Sequence, residues 1–595
     1  MFSQFASSLP DHLHDLSFAP SCIERLFWEN QDESMKKIVL DRAENLVMKD
    51  MAMLKATDYL HFSRTGNRVL FESIYFERRR DLCACTLAYC LHPENRLLDH
   101  IINLVWAICE ESSWALPAHN SYIRDTQQLP LADTRRPVID LFAAESGALL
   151  AQVYVLLKPA FELQTPLISS RIETELQTRI YEPYLQEHFW WMGDGDEPMN
   201  NWTVWCIQNI LLSVFLLPTD QVLRNQVAGK SLYSLDCFVK DYGEDGCCSE
   251  GAQYYRHAGL CLYLCMDILN KVTDNLFIEL YCETKIKNIA SFIRHIHAQG
   301  SYYFNFSDCS AQAGACTIRE WLFAKAVKDE ALAQFASSSA ISRAEQQRDL
   351  PLEINLTYRL LELIHAKEAS ETNYTQEDHY YESVGILISR DDHYALAIKA
   401  GGNDDSHNHN DTGSIILYKD GNPFLIDLGV ESYTKKTFSK DRYTIWTMRS
   451  TYHNLTNFPP HEQLAGSEYR STIKSISLQG NPRIELELAD AYPADIGLSS
   501  YKRVVEHKKG DGIYLEEMVE EDVSAVLSLM TCSKPVVADG TITLKDIGEL
   551  KMSGNVQDVK VETISVTDAR LKQDWPTVVY RISLSYEAFI HIVIR

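Results

Sequence analysis

The spacing of apolar residues divides the chain into two parts. From about residue 20 to about residue 365, apolar side chains recur at i, i+3, i+4 and i+7, as in SMKKIVLDRAENLVMKDMAMLKA and GALLAQVYVLLKPAFELQ. This period predicts a succession of amphipathic helices separated by short polar or proline-containing breaks. The chain has no sequence repeat of fixed period, which favours a closed ring of helix pairs over a solenoid.

After about residue 375 the pattern changes to short, β-branched and often alternating segments, such as YALAIKAGG, SIILYKDG and RIELELAD. Glycine, aspartate and asparagine turns separate them, which is typical of an antiparallel sandwich or stacked sheets. The polar stretch HAKEASETNYTQEDHYYES lies between the two patterns. We therefore predict a helical domain over 1–370 and an antiparallel β-sandwich over 371–595, with a site at their junction.

The composition narrows the class of protein. A chain of 595 residues is too long for one ordinary core, and its 46% hydrophobic residues are typical of globular domains. The formal charge of −26 argues against nucleic acid as a partner, because phosphate binding needs a clustered basic surface. A local cleft lined with Arg, His and Asn can still hold an anion.

The sequence also suggests a cellular location. The N-terminal segment lacks a basic start followed by an apolar run, and no stretch approaches the roughly 18 to 20 apolar residues of a membrane span. The fifteen cysteines are scattered in a way that suits neither a disulfide scaffold nor a zinc ribbon. We expect a cytoplasmic protein without a membrane partner, or a periplasmic or secreted one if a leader has been removed.

The most informative segment runs from Ser406 to Ser414 and contains His407, His409 and Asp411. Two strand-like stretches follow, and the turn Lys419-Asp420-Gly421-Asn422 between them predicts a β-hairpin. If the segment is extended, its two histidines and aspartate share one face, because alternate residues of a strand point the same way. By itself this cluster suggests a metal hydrolase.

Three further motifs carry polar chemistry. Asn200, Asn201 and Trp202 open a long apolar helix, and taken alone the asparagines are more simply caps. The motif Asp-Gly-x-x-x-Glu-Gly-x-x-Tyr ends at Tyr254, and the arginine and histidine that follow predict a lowered pKa for this tyrosine. His453 lies in the β half, and taken alone it is more simply a structural histidine.

In this combination and order, the motifs resemble the heparinase II/III family of polysaccharide lyases. The resemblance covers most of the chain, and the His-x-His-x-Asp hairpin that leads to Ile-Asp-x-Gly is its most specific part. It implies an incomplete (α/α) toroid followed by an antiparallel β-sandwich. It also implies eliminative cleavage of uronic-acid-containing polysaccharides, and a divalent metal ion, commonly zinc, in the sandwich.

The resemblance implies roles for individual residues. Asn200, or its neighbour Asn201, would stabilise the charge that develops on the uronate carboxylate. Tyr254, with Tyr255 as the competing position, would be the general acid, and also the base when the C5 proton and the leaving oxygen lie on the same side. His407 would be the base when they lie on opposite sides, and would otherwise orient or polarise the substrate.

The remaining assignments concern the metal and the substrate. His409 and Asp427 match the family's metal ligands, His453 is the expected third ligand, and the set suits zinc while leaving manganese open. The ion would mainly support the segment that carries His407. The candidates for holding the substrate are Asn201, His119, Glu250, Arg256, His257, Tyr433 and Arg442.

The sequence thus predicts a lyase acting on heparan sulfate, chondroitin or dermatan sulfate, or hyaluronan. Alginate or another uronan is the nearest alternative, and a non-catalytic glycan-binding protein is the alternative from another class. A glycoside hydrolase would need two opposed carboxylates, and only Glu250 is a candidate. Sulfation preference, endo or exo action and oligomeric state are not determined by the sequence.

Overall fold

The computed structural model describes residues 1–124, 126–338, 353–365, 367–369, 374–405, 407–520 and 523–595. The chain divides into two compact units. The helical unit comprises Met1–Tyr242, Arg256–Ala290 and Ala315–Asn373, and the β unit comprises Gly243–Tyr255, Ser291–Gly314 and Tyr374–Arg595. The predicted boundary between residues 370 and 371 lies outside the described residues. Two segments of the β unit, Gly243–Tyr255 and Ser291–Gly314, precede this boundary in the sequence.

Helices dominate the first part of the chain, as its apolar period predicts. Their bounds are α1 Arg25–Glu29, α2 Glu33–Val47, α3 Ala56–Thr65, α4 Val69–Leu91, α5 Asn95–Cys109, α6 Leu141–Gln164, α7 Leu167–Leu176, α8 Glu182–Gln186, α9 Asn201–Leu216, α10 Gln221–Asp241, α11 Gly251–Tyr255, α12 Gly259–Val272, α13 Thr284–Ile296, α14 Ile318–Val327, α15 Glu330–Ala336 and α16 Leu356–His365.

Two helices show how the apolar pattern is used. Helix α5 buries Leu97, Ile101, Leu104 and Ile108 on one face, at the spacing expected of an amphipathic helix. Helix α6 is long and apolar enough to span a membrane by length and composition, but 83% of its apolar window is buried within the protein. Its apolar side chains are thus used in packing.

The strands follow in the second part of the chain. Their bounds are β1 His379–Tyr381, β2 Ile386–Arg390, β3 Tyr394–Lys399, β4 Gly402–Asn403, β5 Ile415–Lys419, β6 Asn422–Leu425, β7 Thr456–Asn457, β8 Gly466–Arg470, β9 Thr472–Ser477, β10 Arg483–Glu487, β11 Tyr501–Lys508, β12 Gly512–Val519, β13 Ala525–Thr531, β14 Pro535–Ala538, β15 Thr541–Leu544, β16 Gly548–Ser565 and β17 Val578–Ile594. The short helix α17, Leu571–Asp574, joins the last two strands.

The strands form two main antiparallel sheets. The first has the order β1-β2-β3-β5-β6, and the second contains β14-β15-β16-β17-β12-β11-β10-β9, with β13 and β7 paired beside β17. Leu396 and Leu417 of the first sheet share one buried cluster with Ile484, Leu515 and Leu584 of the second. The sheets therefore pack face to face, which confirms the predicted helical part followed by an antiparallel β part. The toroidal arrangement of the helices stays a prediction.

The predicted hairpin is also confirmed. Strands β5 and β6 pair antiparallel, with Lys419 opposite Asn422. Asp420 and Gly421 both have positive φ, at 49° and 78°. This is the backbone of a two-residue turn that matches the twist of the flanking strands.

Candidate active site

The segment that carries the two histidines is a loop between β4 and β5, and Ser406 lies outside its described residues. The prediction that strand alternation puts His407, His409 and Asp411 on one face is wrong. His407 has a left-handed backbone, with φ of 56°, and both histidines reach the same carboxylate on another segment. Asp411 instead binds the buried cation Lys399.

Lys399 fixes this loop from within the β unit. Its ammonium lies 2.6 Å from Asp411 Oδ1 and 3.1 Å from Asp405 Oδ2, and its side chain is 1% exposed. The two carboxylates raise the pKa of Lys399 despite its burial. One buried lysine thus ties together two points of the loop that contains His407 and His409.

Asp308 is the centre of the candidate site. Its Oδ2 atom accepts hydrogen bonds from His407 Nδ1 at 2.9 Å and from the Tyr433 hydroxyl at 3.3 Å. Its Oδ1 atom accepts from His409 Nε2 at 3.0 Å and from Arg442 Nη2 at 2.7 Å. These donors outweigh the cost of burying the carboxylate and hold the pKa of Asp308 well below its usual range.

Two glycines of the sequence motifs let the Asp308 segment approach. A Cβ atom on Gly251 would lie 2.8 Å from Cys309 Cβ, and one on Gly429 would lie 2.6 Å from the Cys309 carbonyl oxygen. Both glycines also have positive φ, at 82° and 72°. The glycines of Glu-Gly and Asp-x-Gly are therefore needed because the backbone next to Asp308 passes close to them.

Tyr254 joins this group through its hydroxyl, which lies 2.7 Å from the Tyr433 hydroxyl. Its ring stacks near His407, with 5.3 Å between ring centroids. The predicted lowering of its pKa is wrong: burial raises the pKa of Tyr254 to about 12, although the Tyr433 hydrogen bond and the Arg570 charge oppose the rise. Tyr254 is thus a phenol at neutral pH, suited to donating a proton. Its neighbour Tyr255 is fully buried.

His407 lies between two carboxylates. Its Nδ1 atom donates to Asp308, and its Nε2 atom lies 3.5 Å from Glu250 Oε2. Burial by itself would lower the pKa of His407, but these two acids more than compensate and the pKa is raised. Glu250 therefore contacts the catalytic candidate His407 directly.

His409, Asp427 and His453 form a buried group whose candidate ligand atoms lie within 4.8 Å of one another. Within the described part of the chain, no hydrogen-bond partner faces His409 Nδ1 or His453 Nε2. The opposite nitrogens are held by carboxylates, Asp308 for His409 and Asp427 for His453, the latter at 2.8 Å. Two oriented imidazoles and one carboxylate fit a divalent metal ion.

The other candidates lie in the helical unit. Asn200 is the N-cap of α9, and its side-chain oxygen accepts from the Trp202 amide at 3.1 Å, so the cap uses the oxygen and not the NH2 group. Asn201 is buried. His119 packs edge-on against Trp202, with centroids 4.7 Å apart, and its Nδ1 atom lies 3.0 Å from Asp140. Burial lowers the pKa of His119 in spite of this aspartate.

His257 and Arg256 are less suited to holding an anion than their charges suggest. The His257 ring stacks on the Trp205 ring, with 3.9 Å between the ring centroids. Burial, and then the charges of Arg319 and Arg256, lower the pKa of His257 to about 3. It is neutral at neutral pH and contributes no positive charge. Arg256 donates to the Ala315 carbonyl and lies 3.9 Å from Glu320.

Arg442 and Tyr433 are already engaged inside the β unit. Arg442 donates to Asp308, to the Asn408 carbonyl at 3.1 Å and to the Thr437 carbonyl at 3.1 Å. Its guanidinium therefore supports the histidine loop, the segment between β4 and β5 that carries His407 and His409.

The sequence patterns missed Asp308 because it lies in an ordinary apolar stretch, YYFNFSDC, and has no neighbouring motif residue.

Comparison with known proteins supports the fold and the family resemblance of the β half. Residues 374–522 match the family model described as heparinase II/III-like, C-terminal, which confirms the predicted resemblance for this part of the β half. No curated protein matches the sequence.

Solved structures extend the likeness to most of the chain. Heparinase III is 12% identical with a TM-score of 0.65, and the match covers 99% of this chain and 88% of that one. Heparan sulfate lyase HepC from Pedobacter heparinus is 13% identical with a TM-score of 0.56, covering 100% and 86%. The Streptomyces coelicolor A3 chondroitin AC lyase is 9% identical with a TM-score of 0.50, covering 94% and 79%. At these identities the likeness concerns the fold.

Proposed function

We propose that the protein is a polysaccharide lyase that cleaves uronic-acid-containing glycosaminoglycans by β-elimination. The observation that carries the proposal is the contact of a partly buried phenol with a histidine held by two acids. Tyr254 stacks on His407, whose nitrogens face Asp308 and Glu250. The fold shared with heparinase III and chondroitin AC lyase supports the same class of reaction.

In the proposed reaction the proton on C5 of a uronic acid goes to a base. The electron pair of the C5–H bond forms the C4–C5 double bond, and the C4–O4 bond breaks with its pair left on O4. The hydroxyl of Tyr254 then gives its proton to O4. The products are a polysaccharide end with a free hydroxyl and an end that carries an unsaturated uronate.

The base depends on the sugar. Where the C5 proton and O4 lie on the same side, Tyr254 serves as both base and acid: its own proton first passes to solvent, and the resulting phenolate takes the C5 proton and delivers it to O4. Where they lie on opposite sides, His407 takes the proton, and otherwise it orients or polarises the substrate. Asn200 is proposed to donate hydrogen bonds to the C6 carboxylate, because an amide donor stabilises the charge that develops there. The substrate-binding roles of Asn201, His119, Tyr433 and the neighbouring polar residues belong to the same proposal.

A divalent metal ion, most simply zinc, would be held by His409, Asp427 and His453. Such an ion would link the loop that carries His407 to the hairpin strand end that carries Asp427. We propose this supporting role because Asp308 contacts both His409 and His407, so an ordered His409 also orders the reacting histidine.

The proposal is tested by incubating the whole protein with heparan sulfate, chondroitin sulfate, dermatan sulfate, hyaluronan and alginate. A lyase produces an unsaturated uronate, which is followed by its ultraviolet absorbance and by mass spectrometry of the products. Activity on alginate alone would favour the uronan alternative. New reducing ends without the unsaturated product would instead indicate a hydrolase. Saturable binding of a polymer without any cleavage would indicate a glycan-binding protein.

A further inference from the structure

The connection between β16 and β17 lies against the candidate site, although no sequence motif marks it. Asp568 Oδ1 accepts hydrogen bonds from the backbone amides of Ser432 at 3.1 Å and Arg570 at 2.9 Å. The Asp574 carboxylate accepts from the amides of Ala311 and Gln312, both at 3.1 Å. This connection is thus fastened to the two segments that carry Tyr433 and Asp308.

Arg570 extends from this connection into the site. Its Nη2 atom donates to Gln253 Oε1 at 3.0 Å and to the Asp308 carbonyl at 2.8 Å. Its guanidinium carbon lies 4.9 Å from the centroid of the Tyr433 ring. Gln253 directly precedes Tyr254 in α11. One side chain therefore contacts three of the segments that form the site.

The charges around the Tyr254 hydroxyl explain why a cation matters there. Glu250 and Asp308 are acidic, and Tyr433 bonds to Tyr254. His407 stacks on the Tyr254 ring but is held by the same two acids. Arg442 is engaged with Asp308. Loss of the phenol proton therefore creates a negative charge beside two carboxylates. Burial is the main cause of the raised pKa of Tyr254, the two carboxylates add to the rise, and the charge of Arg570 opposes it.

We propose that Arg570 is a positioning residue of this site. It fixes Gln253, and so Tyr254, relative to Tyr433 and Asp308, and its charge stabilises the phenolate that forms when Tyr254 gives up its proton. The inference rests on the proposed lyase function, because it assigns a support to the residue that donates the proton. It does not require Arg570 to touch the substrate.

The test compares Arg570→Met, which removes the charge, with Arg570→Lys, which keeps the charge and loses the forked donor. Lys508→Met is the matched control, since Lys508 lies 3.7 Å from the centroid of the Tyr514 ring on a strand remote in sequence from the site segments. On the polymer that the protein cleaves, we expect Arg570→Met to lower kcat about tenfold to hundredfold with little change in KM. Arg570→Lys should recover part of this loss, and Lys508→Met should match the wild type.

The second measurement does not depend on activity. Fluorotyrosine is placed at position 254, and its ionisation is followed by fluorine NMR as the pH is raised. In Arg570→Met, which lacks the cation, we expect the fluorotyrosine to ionise at higher pH than in the wild type. The part of the kcat–pH profile that depends on this ionisation should shift in the same direction. Both shifts should be much smaller in Arg570→Lys. A merely structural residue would not give this charge-dependent order.

The outcomes separate the two proposals. An unchanged ionisation and a kcat within about twofold of the wild type in Arg570→Met would overturn the assignment of Arg570. If the wild type cleaves no polymer, the lyase proposal fails, and the NMR comparison alone then decides whether Arg570 governs the ionisation of Tyr254.

Discussion

Asp308 Oδ1 accepts a hydrogen bond from His409 Nε2 at 3.0 Å, and this contact connects the candidate metal group to the residues that are proposed to react. The other oxygen of the same carboxylate holds His407. A change at either histidine is therefore transmitted through one buried aspartate.

Replacing Asp308 by Asn should weaken stability, metal binding and activity together. The amide brings an NH2 group against donors from the histidines and leaves Arg442 without a counter-charge. We expect a loss of about 3 to 5 kcal/mol in the free energy of unfolding and a fall in metal affinity of about 10- to 100-fold. Denaturant unfolding and metal titration measure these effects. The exposed Asp392→Asn should leave both unchanged, and a stable Asp308→Asn variant with normal metal affinity would contradict the arrangement.

Replacing His409 by Ala should release the metal ion and lower Tm. The proposed ion would be held by buried groups that come together only in the native state, so its binding would add to stability. Metal analysis and thermal unfolding, with and without a chelator, give the comparison. His393→Ala is the control. The His393 side chain is largely exposed, and its ion pair within the described chain is with Asp420 of the hairpin turn. Equal metal content in the His409 variant and the wild type would refute the ligand assignment.

Replacing Tyr254 by Phe should nearly abolish cleavage without changing the fold. Removal of a general acid typically costs about 100- to 10,000-fold in rate, and the Phe ring keeps the stacking on His407. Initial rates and Tm measure the two effects. Tyr255→Phe should retain activity, because Tyr255 is a buried packing residue that a phenyl ring can replace. Its ring centroid lies 5.7 Å from that of Phe292. A fully active Tyr254 variant, or an inactive but folded Tyr255 variant, would reverse the assignment.

The β unit should lose stability in mild acid because of His297. Its Nε2 atom donates to the Gly300 carbonyl at 2.9 Å, and its Nδ1 atom accepts from Gln376 Nε2 at 2.9 Å, so the neutral ring is already satisfied. Burial lowers the pKa of His297 from 6.5 to about 4. The unfolded chain then binds more protons between these values, so stability is full above pH 6.5 and falls until pH 4 is reached.

Denaturant unfolding at several pH values checks this window. One such histidine contributes a slope of about 1.4 kcal/mol per pH unit. His297→Gln should remove that part of the slope, whereas His461→Gln, at a partly exposed histidine of the same unit, should keep it. An identical pH dependence in His297→Gln and the wild type would show that another group is responsible.

Replacing Lys399 by Met should destabilise the histidine loop. Asp411 is fully buried and would keep an unpaired charge, as would Asp405, at a cost of about 3 to 5 kcal/mol in the free energy of unfolding. Adding Asp411→Asn to Lys399→Met should restore part of the loss, since the two changes act on one ion pair. Strict additivity of the two single changes in denaturant unfolding would contradict the coupling.

The sequence by itself determined the local features. The helical period of Leu97 to Ile108, the alternation in the strands and the Asp420-Gly421 turn each depend on neighbouring residues, and all are present in the structure. The grouping of His409, Asp427 and His453 was also reached from the sequence, through the family resemblance. Such motifs carry their chemistry in short segments, so their order in the chain is informative.

Only the tertiary structure decided what surrounds these groups. Asp308 contacts His407, which lies 99 residues further along the chain, and Arg570 contacts Asp308, 262 residues before it. Neither Asp308 nor Arg570 stands in a local sequence pattern. The pKa of Tyr254 is raised because burial outweighs the cation beside it, and burial is a property of packing. The sequence therefore supplied the candidate residues, while the fold decided their partners and the direction in which burial and neighbouring charges shift their pKa values.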